Sequence, residues 1–125
     1  MISKTFIKEQ VVKEAKFLTE VRRYLHANPE LSEHENQTAL YISNLLNAWN
    51  IEHQTRIGGY GITGHIEGKN PEKKMIVLRA DMDALPITEE NDVPYKSLKN
   101  GVMHACGHDV HMTCLIGALK ILNSI

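Results

Sequence analysis

Three histidines and one cysteine fall within the eight residues from His104 to His111, in a chain that has seven histidines and two cysteines. Side chains at i, i+2 and i+4 of an extended segment point the same way, so His104, Cys106 and His108 are predicted to converge. The pattern turns helical from Asp109, which places His111 on the face of His108. A thiolate and an imidazole two residues apart, beside a carboxylate, suit a borderline-soft divalent metal. The cluster therefore predicts a metal site.

Two other uses of these residues stay open. Isolated histidines commonly lie at the surface, and a free cysteine commonly packs as a small buried hydrophobe. Cys106 could also act as a redox or nucleophilic thiol. The chain lacks the C-x-x-C pair of a structural zinc site. The density of donor side chains favours the metal site over both alternatives. The second cysteine, Cys114, is predicted to lie inside a buried helix and to be inert.

Length and composition are those of an ordinary globular protein. The 125 residues are 42% hydrophobic and 23% charged, with a net charge of −1, and predict one domain. This balance gives no reason to expect nucleic acid or an anionic membrane surface as a partner. The sequence has no apolar run of transmembrane length and no signal-peptide pattern at its start, so a cytoplasmic location is expected. Two cysteines do not indicate a disulfide framework, which agrees with that location.

Two amphipathic helices are predicted before residue 51. An apolar stripe with steps of three and four residues predicts the first helix from Thr5 to His26. Pro29 is expected to follow its end. Ser32 and Glu35 have the spacing of a capping box and predict a second helix that continues to about Asn50. Both His26 and His34, which flank this joint, are expected at the surface.

Three strands are predicted next. Residues 51–56 and 61–67 read as short strands around the turn at 58–59, with His65 on a polar face. The apolar run Met75–Leu78 predicts a central strand that is buried on both faces. Asp81 and Asp83 follow its carboxyl end, where open α/β sheets place their sites, and are expected to face the 104–111 cluster.

The last helix is predicted from Val110 to Ile125, and its residues are apolar nearly all round. Such a helix is normally buried in a large protein. Three strands and two helices cannot cover both this helix and a central strand. The chain is therefore interpreted as an α/β protein that forms the first part of a larger domain, cut short or completed by another chain.

Three sequence blocks resemble a family of metal-dependent amidohydrolases. They are Arg22–Leu31 (RRYLHANPEL), Arg79–Ile87 (RADMDALPI) and Met103–Asp109 (MHACGHD). The family includes auxin-conjugate hydrolases, hippurate hydrolases and N-acyl-diaminopimelate deacetylases, relatives of the aminoacylases and zinc carboxypeptidases. The resemblance implies that residues 1–125 are the amino-terminal portion of an α/β/α metallopeptidase-like catalytic domain. Two amphipathic helices, three strands and a buried helix would belong to it, without the remaining catalytic domain and the lid used in dimerisation.

The resemblance also implies a site and a reaction. Cys106 and His108 match family metal ligands, and Asp83, with Asp81 beside it, matches the carboxylate that orients a ligand. Family members bind two divalent ions, for which Mn, Zn, Co and Ni are candidates, and hydrolyse N-acyl amino acids by metal-activated water. Their general base lies on a paired-glutamate motif further along the family sequence, which cannot be placed in these residues, so no catalytic residue is assigned here.

Because the metal ligands and the general base are not all present, three interpretations of the whole chain stay open. In the first, it is part of an N-acyl amino acid hydrolase, with a complementing chain or a homodimer as partner. In the second, it is a catalytically silent remnant or the complementing half of a split enzyme, and in the third it is a simple module that binds one metal ion. On the resemblance, the isolated chain is expected not to hydrolyse N-acyl amino acids, because a catalytic zinc site usually has three protein ligands and a water.

Overall fold

Three α-helices and one antiparallel hairpin are the regular elements of residues 2–125, the part of the chain that a computed structural model describes. In order they are α1 (Lys4–Ala27), α2 (Asn36–Ala48), β1 (Glu52–Ile57), β2 (Gly61–His65) and α3 (His108–Leu122). No helix in this described part is long and apolar enough to cross a membrane. The predicted α/β class is confirmed, with two strands instead of three.

Helix α1 begins and ends where its sequence provides the signals. The Ser3 hydroxyl accepts a hydrogen bond from the Phe6 amide at 3.1 Å, which caps the amino end. The helix stops at Ala27, ahead of Pro29. Its apolar stripe is buried only in the second half, where Val21 is 1% exposed, whereas Val11 is 46% exposed. The carboxyl-terminal half of α1 is therefore the part that joins the core.

The core lies between α1 and α3. Val21 and Leu25 of α1 pack with Met112 and Ile116 of α3. The two helices approach closely at Gly117, where an added Cβ would lie 3.0 Å from a Leu18 methyl carbon. This contact uses one face of α3.

The other faces of α3 remain open, so its predicted burial all round is wrong. Val110 is 43% and Leu122 is 47% exposed. Cys114, which was expected inside the helix, is also exposed. The physical reason is that α1 covers only one side of α3.

The predicted capping box at the start of α2 is also wrong. The helix begins at Asn36, and its cap residue Glu35 makes no side-chain hydrogen bond to the helix. Glu33 has a positive φ of 66°, a conformation that a right-handed helix cannot contain. Glu30 replaces the box: its carboxylate accepts hydrogen bonds from the amides of Gln37 and Thr38 at 3.1 and 2.7 Å.

The hairpin packs against α2. Strands β1 and β2 pair antiparallel from Glu52 opposite His65 to Ile57 opposite Gly61. Gly58 and Gly59 make the turn with positive φ values of 58° and 111°, which glycine adopts without steric cost. The hairpin lies against the helix layer at Gly64, where an added Cβ would lie 3.7 Å from the buried Leu46 side chain and 3.6 Å from that of Ile51.

The run Met75–Leu78 forms no strand within residues 2–125, so its prediction as a buried central strand is wrong here. Its four side chains are 78%, 76%, 81% and 53% exposed. A strand exists only where a neighbour supplies the hydrogen bonds of its backbone. In the described residues none lies beside this run, and its apolar side chains have nothing to pack on.

Candidate metal centre

The segment from Asp83 to Leu85 is fixed between two distant parts of the chain. The Ala84 amide donates to the Glu30 carbonyl at 2.7 Å. Leu85 and Met103 exchange backbone hydrogen bonds of 2.9 and 3.0 Å. Because Met103 leads directly into the 104–111 cluster, this pairing carries Asp83 to the start of α3.

Asp83 holds the ring of His108 from two directions. The Nδ1 atom of His108 lies 2.8 Å from the Asp83 carbonyl oxygen and 3.0 Å from its carboxylate Oδ1. Both oxygens are acceptors, so Nδ1 carries the proton and Nε2 is left with its lone pair. This is the arrangement in which a carboxylate orients a metal-binding histidine.

Cys106 and Gly107 form the bend that opens α3. The Cys106 thiol is exposed. Gly107 is the cap residue of the helix in the left-handed conformation, with a φ of 84°, and provides no side-chain cap. A residue with a Cβ is disfavoured there, which accounts for glycine between the two predicted ligands.

The bend prevents the predicted convergence of His104, Cys106 and His108. His104 is 4% exposed, and both its ring nitrogens lack a hydrogen-bond partner, while Cys106 faces solvent. Burial lowers the pKa of His104, which keeps its ring neutral. His111 lies on the exposed side of α3, with its ring centre 5.9 Å from that of His108. Across residues 2–125, no three donor side chains lie close enough together to hold one ion.

Asp81 differs from Asp83. Its carboxylate accepts a hydrogen bond from Arg79 at 2.6 Å, and the two side chains are 49% and 82% exposed. The structure therefore brings Asp83 to His108 and leaves Asp81 in a surface ion pair.

His26 is buried, so its predicted surface position is wrong. Its Nδ1 lies 2.7 Å from Oδ2 of Asp109, and its Nε2 lies 2.9 Å from Oε1 of Glu89. Arg22 adds its Nε at 3.0 Å from the same Asp109 oxygen. These four side chains, Arg22, His26, Glu89 and Asp109, form what we call the buried charge cluster. It joins α1, the loop after the Asp83 segment and the first turn of α3.

One signal in the sequence could have found this cluster. Arg22 and His26 are four residues apart and each directly follows a buried stripe residue, Val21 or Leu25, so they share one helix face. Their partners lie 63 and 83 residues away from His26, which no local pattern reveals.

Glu89 is the most strongly perturbed acid of the site. Burial alone would raise its pKa, but hydrogen bonds from His26, the Ser97 amide and Asn91, together with the charge of His26, lower the pKa to about 2. The Glu89 carboxylate is therefore ionised at every pH near neutrality.

We expect the free energy of unfolding to fall as pH drops from 4.5 toward about 2, because the unfolded state takes up a proton that native Glu89 resists. The contribution of Glu89 to the free energy of unfolding is fully present above pH 4.5 and is lost as the pH falls from 4.5 to about 2. Urea denaturation at several pH values measures it. Glu89→Gln should flatten this part of the profile, and Glu90→Gln, at the exposed neighbouring residue, should not. Equal profiles for Glu89→Gln and the unmodified chain would contradict the assignment.

The donor set at the start of α3 fits a divalent metal. An exposed thiol at Cys106 and an imidazole with a free Nε2 at His108 are ligands of borderline-soft ions such as Zn²⁺ and Co²⁺. The Asp83 carboxylate already holds the other ring nitrogen. Two ligands leave further coordination positions for water, substrate or other donors.

This geometry defines an α/β protein with a candidate metal centre at a helix start. Residues 77–125 match the family model of Peptidase family M20/M25/M40. A crystal structure of a candidate aminohydrolase from methicillin-resistant Staphylococcus aureus superposes with a TM-score of 0.90 at 40% identity, over 99% of this chain and 32% of that one. The Bacillus subtilis YXEP protein, a dinuclear metal-binding peptidase from the M20 family, gives 0.82 at 39% identity, over 87% and 30%. The fold is thus that of the amino-terminal part of M20 peptidase structures.

Curated proteins that are similar to this chain are also named as hydrolases. A probable hydrolase of Synechocystis sp. is 44% identical over 108 residues, which are 86% of this chain and 28% of that protein. An uncharacterized hydrolase of Staphylococcus aureus is 48% identical over 103 residues, which are 82% and 26%. The chain therefore spans about a quarter of the length of the curated relatives it matches.

Proposed function

We propose that this chain is the amino-terminal part of the catalytic domain of an M20-type metal-dependent hydrolase, in which Cys106 and His108 bind a divalent metal. One observation carries the proposal: Asp83 holds Nδ1 of the His108 ring, which leaves Nε2 as the free nitrogen, and the Cys106 thiol two residues earlier in the sequence is exposed. The family match over residues 77–125 includes all three side chains.

The reaction we propose is hydrolysis of the amide bond of an N-acyl amino acid, as in the auxin-conjugate and hippurate hydrolases that the three motifs resemble. When bound, divalent metals would acidify water and polarise the substrate carbonyl. Cys106 and His108 would hold an ion, and Asp83 would keep the His108 ring in its metal-binding orientation. Two ions are proposed because the similar YXEP protein is a dinuclear metal-binding peptidase. Mn, Zn, Co and Ni are the candidate metals, because affinity order alone does not decide which ion a site selects in cells.

The remaining ligands and the general base are proposed to come from outside residues 1–125. The chain matches only 26% to 28% of the length of its relatives. The donors that complete the site would then lie on polypeptide outside these residues, and a small-molecule amide would be the substrate.

Cobalt binding tests the metal centre directly. Titration of the chain with Co²⁺ under reducing conditions should produce a thiolate-to-cobalt charge-transfer band in the near ultraviolet. Cys106→Ser should abolish this band, because it removes the thiolate ligand. Cys114→Ser is the matched control, since it removes the other exposed thiol and should leave the band intact. A band that persists in Cys106→Ser would refute the assignment of this ligand.

Asp83→Ala is expected to weaken Co²⁺ binding by about 10-fold, the low end of the range for a group that orients a ligand. The effect is limited because the Asp83 carbonyl, which the substitution keeps, also accepts from His108 at 2.8 Å. Competition with a chelator of known affinity measures the change. Asp81→Ala removes a surface carboxylate two residues away and should leave the affinity unchanged. Equal effects of the two substitutions would contradict the orienting role of Asp83.

A further inference from the structure

We infer that His26 is a positioning residue that sets the metal-binding geometry of His108 by holding Asp109. This inference rests on the proposed function, because it assumes that His108 binds the metal. It adds a residue of α1, far from the 104–111 cluster in sequence, to the machinery of that site.

The contacts of His26 reach both nitrogens of its ring. Nδ1 lies 2.7 Å from Asp109 Oδ2 and Nε2 lies 2.9 Å from Glu89 Oε1. His26 is 4% exposed, and the side chains of Asp109 and Glu89 are each 1% exposed. Such contacts, shielded from water, hold their geometry far better than surface ion pairs do.

Each ring nitrogen of His26 faces a carboxylate, which accepts hydrogen bonds when it is ionised. With the Arg22 guanidinium beside Asp109, the buried charge cluster pairs two basic with two acidic side chains. A balanced set of this kind is stable in a buried place, but removal of one member leaves an uncompensated charge.

The buried charge cluster is connected to His108 by one peptide bond, because its member Asp109 is the next residue. Asp109 directly follows His108 and lies in the same first turn of α3. That turn receives no side-chain cap, since its cap residue is Gly107. Asp83 fixes the His108 ring from one side. His26 holds Asp109, the next residue along the backbone, from the other side, so the position of Nε2 depends on both Asp83 and His26.

If His26 had only a structural role, its replacement would lower the stability of the chain and have no specific effect on metal binding. His26 would then contribute to the stability of the chain in the same way as any other buried, hydrogen-bonded histidine. The half-buried His53 is a histidine of comparable bonding: its Nε2 lies 2.7 Å from the Ser43 hydroxyl and its Nδ1 lies 2.9 Å from the Ile51 carbonyl. It joins α2 to β1, away from α3, and provides the matched control.

The test compares Co²⁺ binding by the chain and by His26→Gln and His53→Gln. We expect His26→Gln to weaken Co²⁺ affinity by about 10-fold or more, as for other groups that act on a metal ligand through a hydrogen bond. His53→Gln should bind Co²⁺ as the unmodified chain does. Far-UV circular dichroism at the same temperature checks that each variant is folded.

A second readout needs no metal. In the imidazole ¹⁵N–¹H spectrum, the Nδ1–H signal of His108, which reports its bond to Asp83, should shift or broaden in His26→Gln and stay in place in His53→Gln. If His26→Gln does not fold, Glu89→Gln replaces it, since it keeps the side-chain shape and removes one of the anions that hold His26. It should weaken Co²⁺ affinity by several-fold.

The outcomes separate the two proposals. If the unmodified chain binds Co²⁺ with the thiolate band and a folded His26→Gln binds within two-fold of it, the positioning role is overturned and the proposed function stands. The positioning role is likewise overturned if Glu89→Gln is the folded variant and has no effect on Co²⁺ affinity. If the unmodified chain shows no thiolate band, the proposed function fails and the positioning role fails with it.

Discussion

Replacing Leu25 by alanine is expected to lower the free energy of unfolding by about 3 to 4 kcal/mol, within the range for leucines truncated in a core. Leu25 is 1% exposed and packs with Val21, Met112 and Ile116 between α1 and α3. The lost methyl groups leave a cavity that two packed helices cannot close without moving. Urea denaturation followed by circular dichroism measures the change.

Leu40→Ala is the matched control for this substitution. Leu40 is also a helical leucine, but it is 52% exposed on α2. Its truncation should change the free energy of unfolding by less than about 0.5 kcal/mol. A loss below about 1 kcal/mol for Leu25→Ala, or similar losses for both variants, would show that the α1–α3 contact is not the core of the chain.

Glu30→Ala is expected to cost about 2 to 3 kcal/mol, because it removes charge-assisted hydrogen bonds from a buried helix start. The Glu30 carboxylate is held by the amides of Gln37 and Thr38 and by the Thr38 hydroxyl at 2.8 Å. Without it, two amides of the first turn of α2 lose their acceptor. The negative charge also lies at the favourable end of the helix dipole. Urea denaturation at neutral pH measures the loss.

Glu35→Ala tests the alternative that the sequence pattern favoured. Glu35 occupies the cap position of α2 and makes no side-chain hydrogen bond to the helix. Its removal should therefore change the free energy of unfolding by less than about 0.5 kcal/mol. A larger loss for Glu35→Ala than for Glu30→Ala would restore the capping box and reject the role given to Glu30.

The elements that could be predicted are those whose signals are local. Periodic apolar residues and Pro29 located α1, and the glycines at 58 and 59 located the hairpin turn. The start of α2 could not be predicted, since Glu30 acts from outside the fixed spacing of a capping box. The apolar run Met75–Leu78 resembles a buried strand, but a strand also depends on a neighbour, which composition does not provide.

The candidate site likewise has residues that local sequence patterns identify and contacts that such patterns do not reveal. Cys106 and His108 could be singled out because residue type and short spacing identify them. The contact of Asp83 with His108 spans 25 residues, and the orienting role of Asp83 followed from the family resemblance. His26 was misplaced because its burial depends on Asp109 and Glu89, which only the folded chain brings to it. Long-range pairing is the information that local periodicity lacks.

The exposed run Met75–Leu78 also governs how copies of this chain behave in concentrated solution. Its side chains are apolar, and its backbone has no strand partner within residues 2–125, so it is a template for strand-to-strand association. Lys73 and Lys74 precede it and Arg79 follows it, which places gatekeeper charges at both ends. Two such runs in parallel register bring like charges together and repel each other. Salt screens this repulsion, with a Debye length of about 3 Å at 1 M. The colloidal stability of the chain is therefore expected to decrease as ionic strength rises.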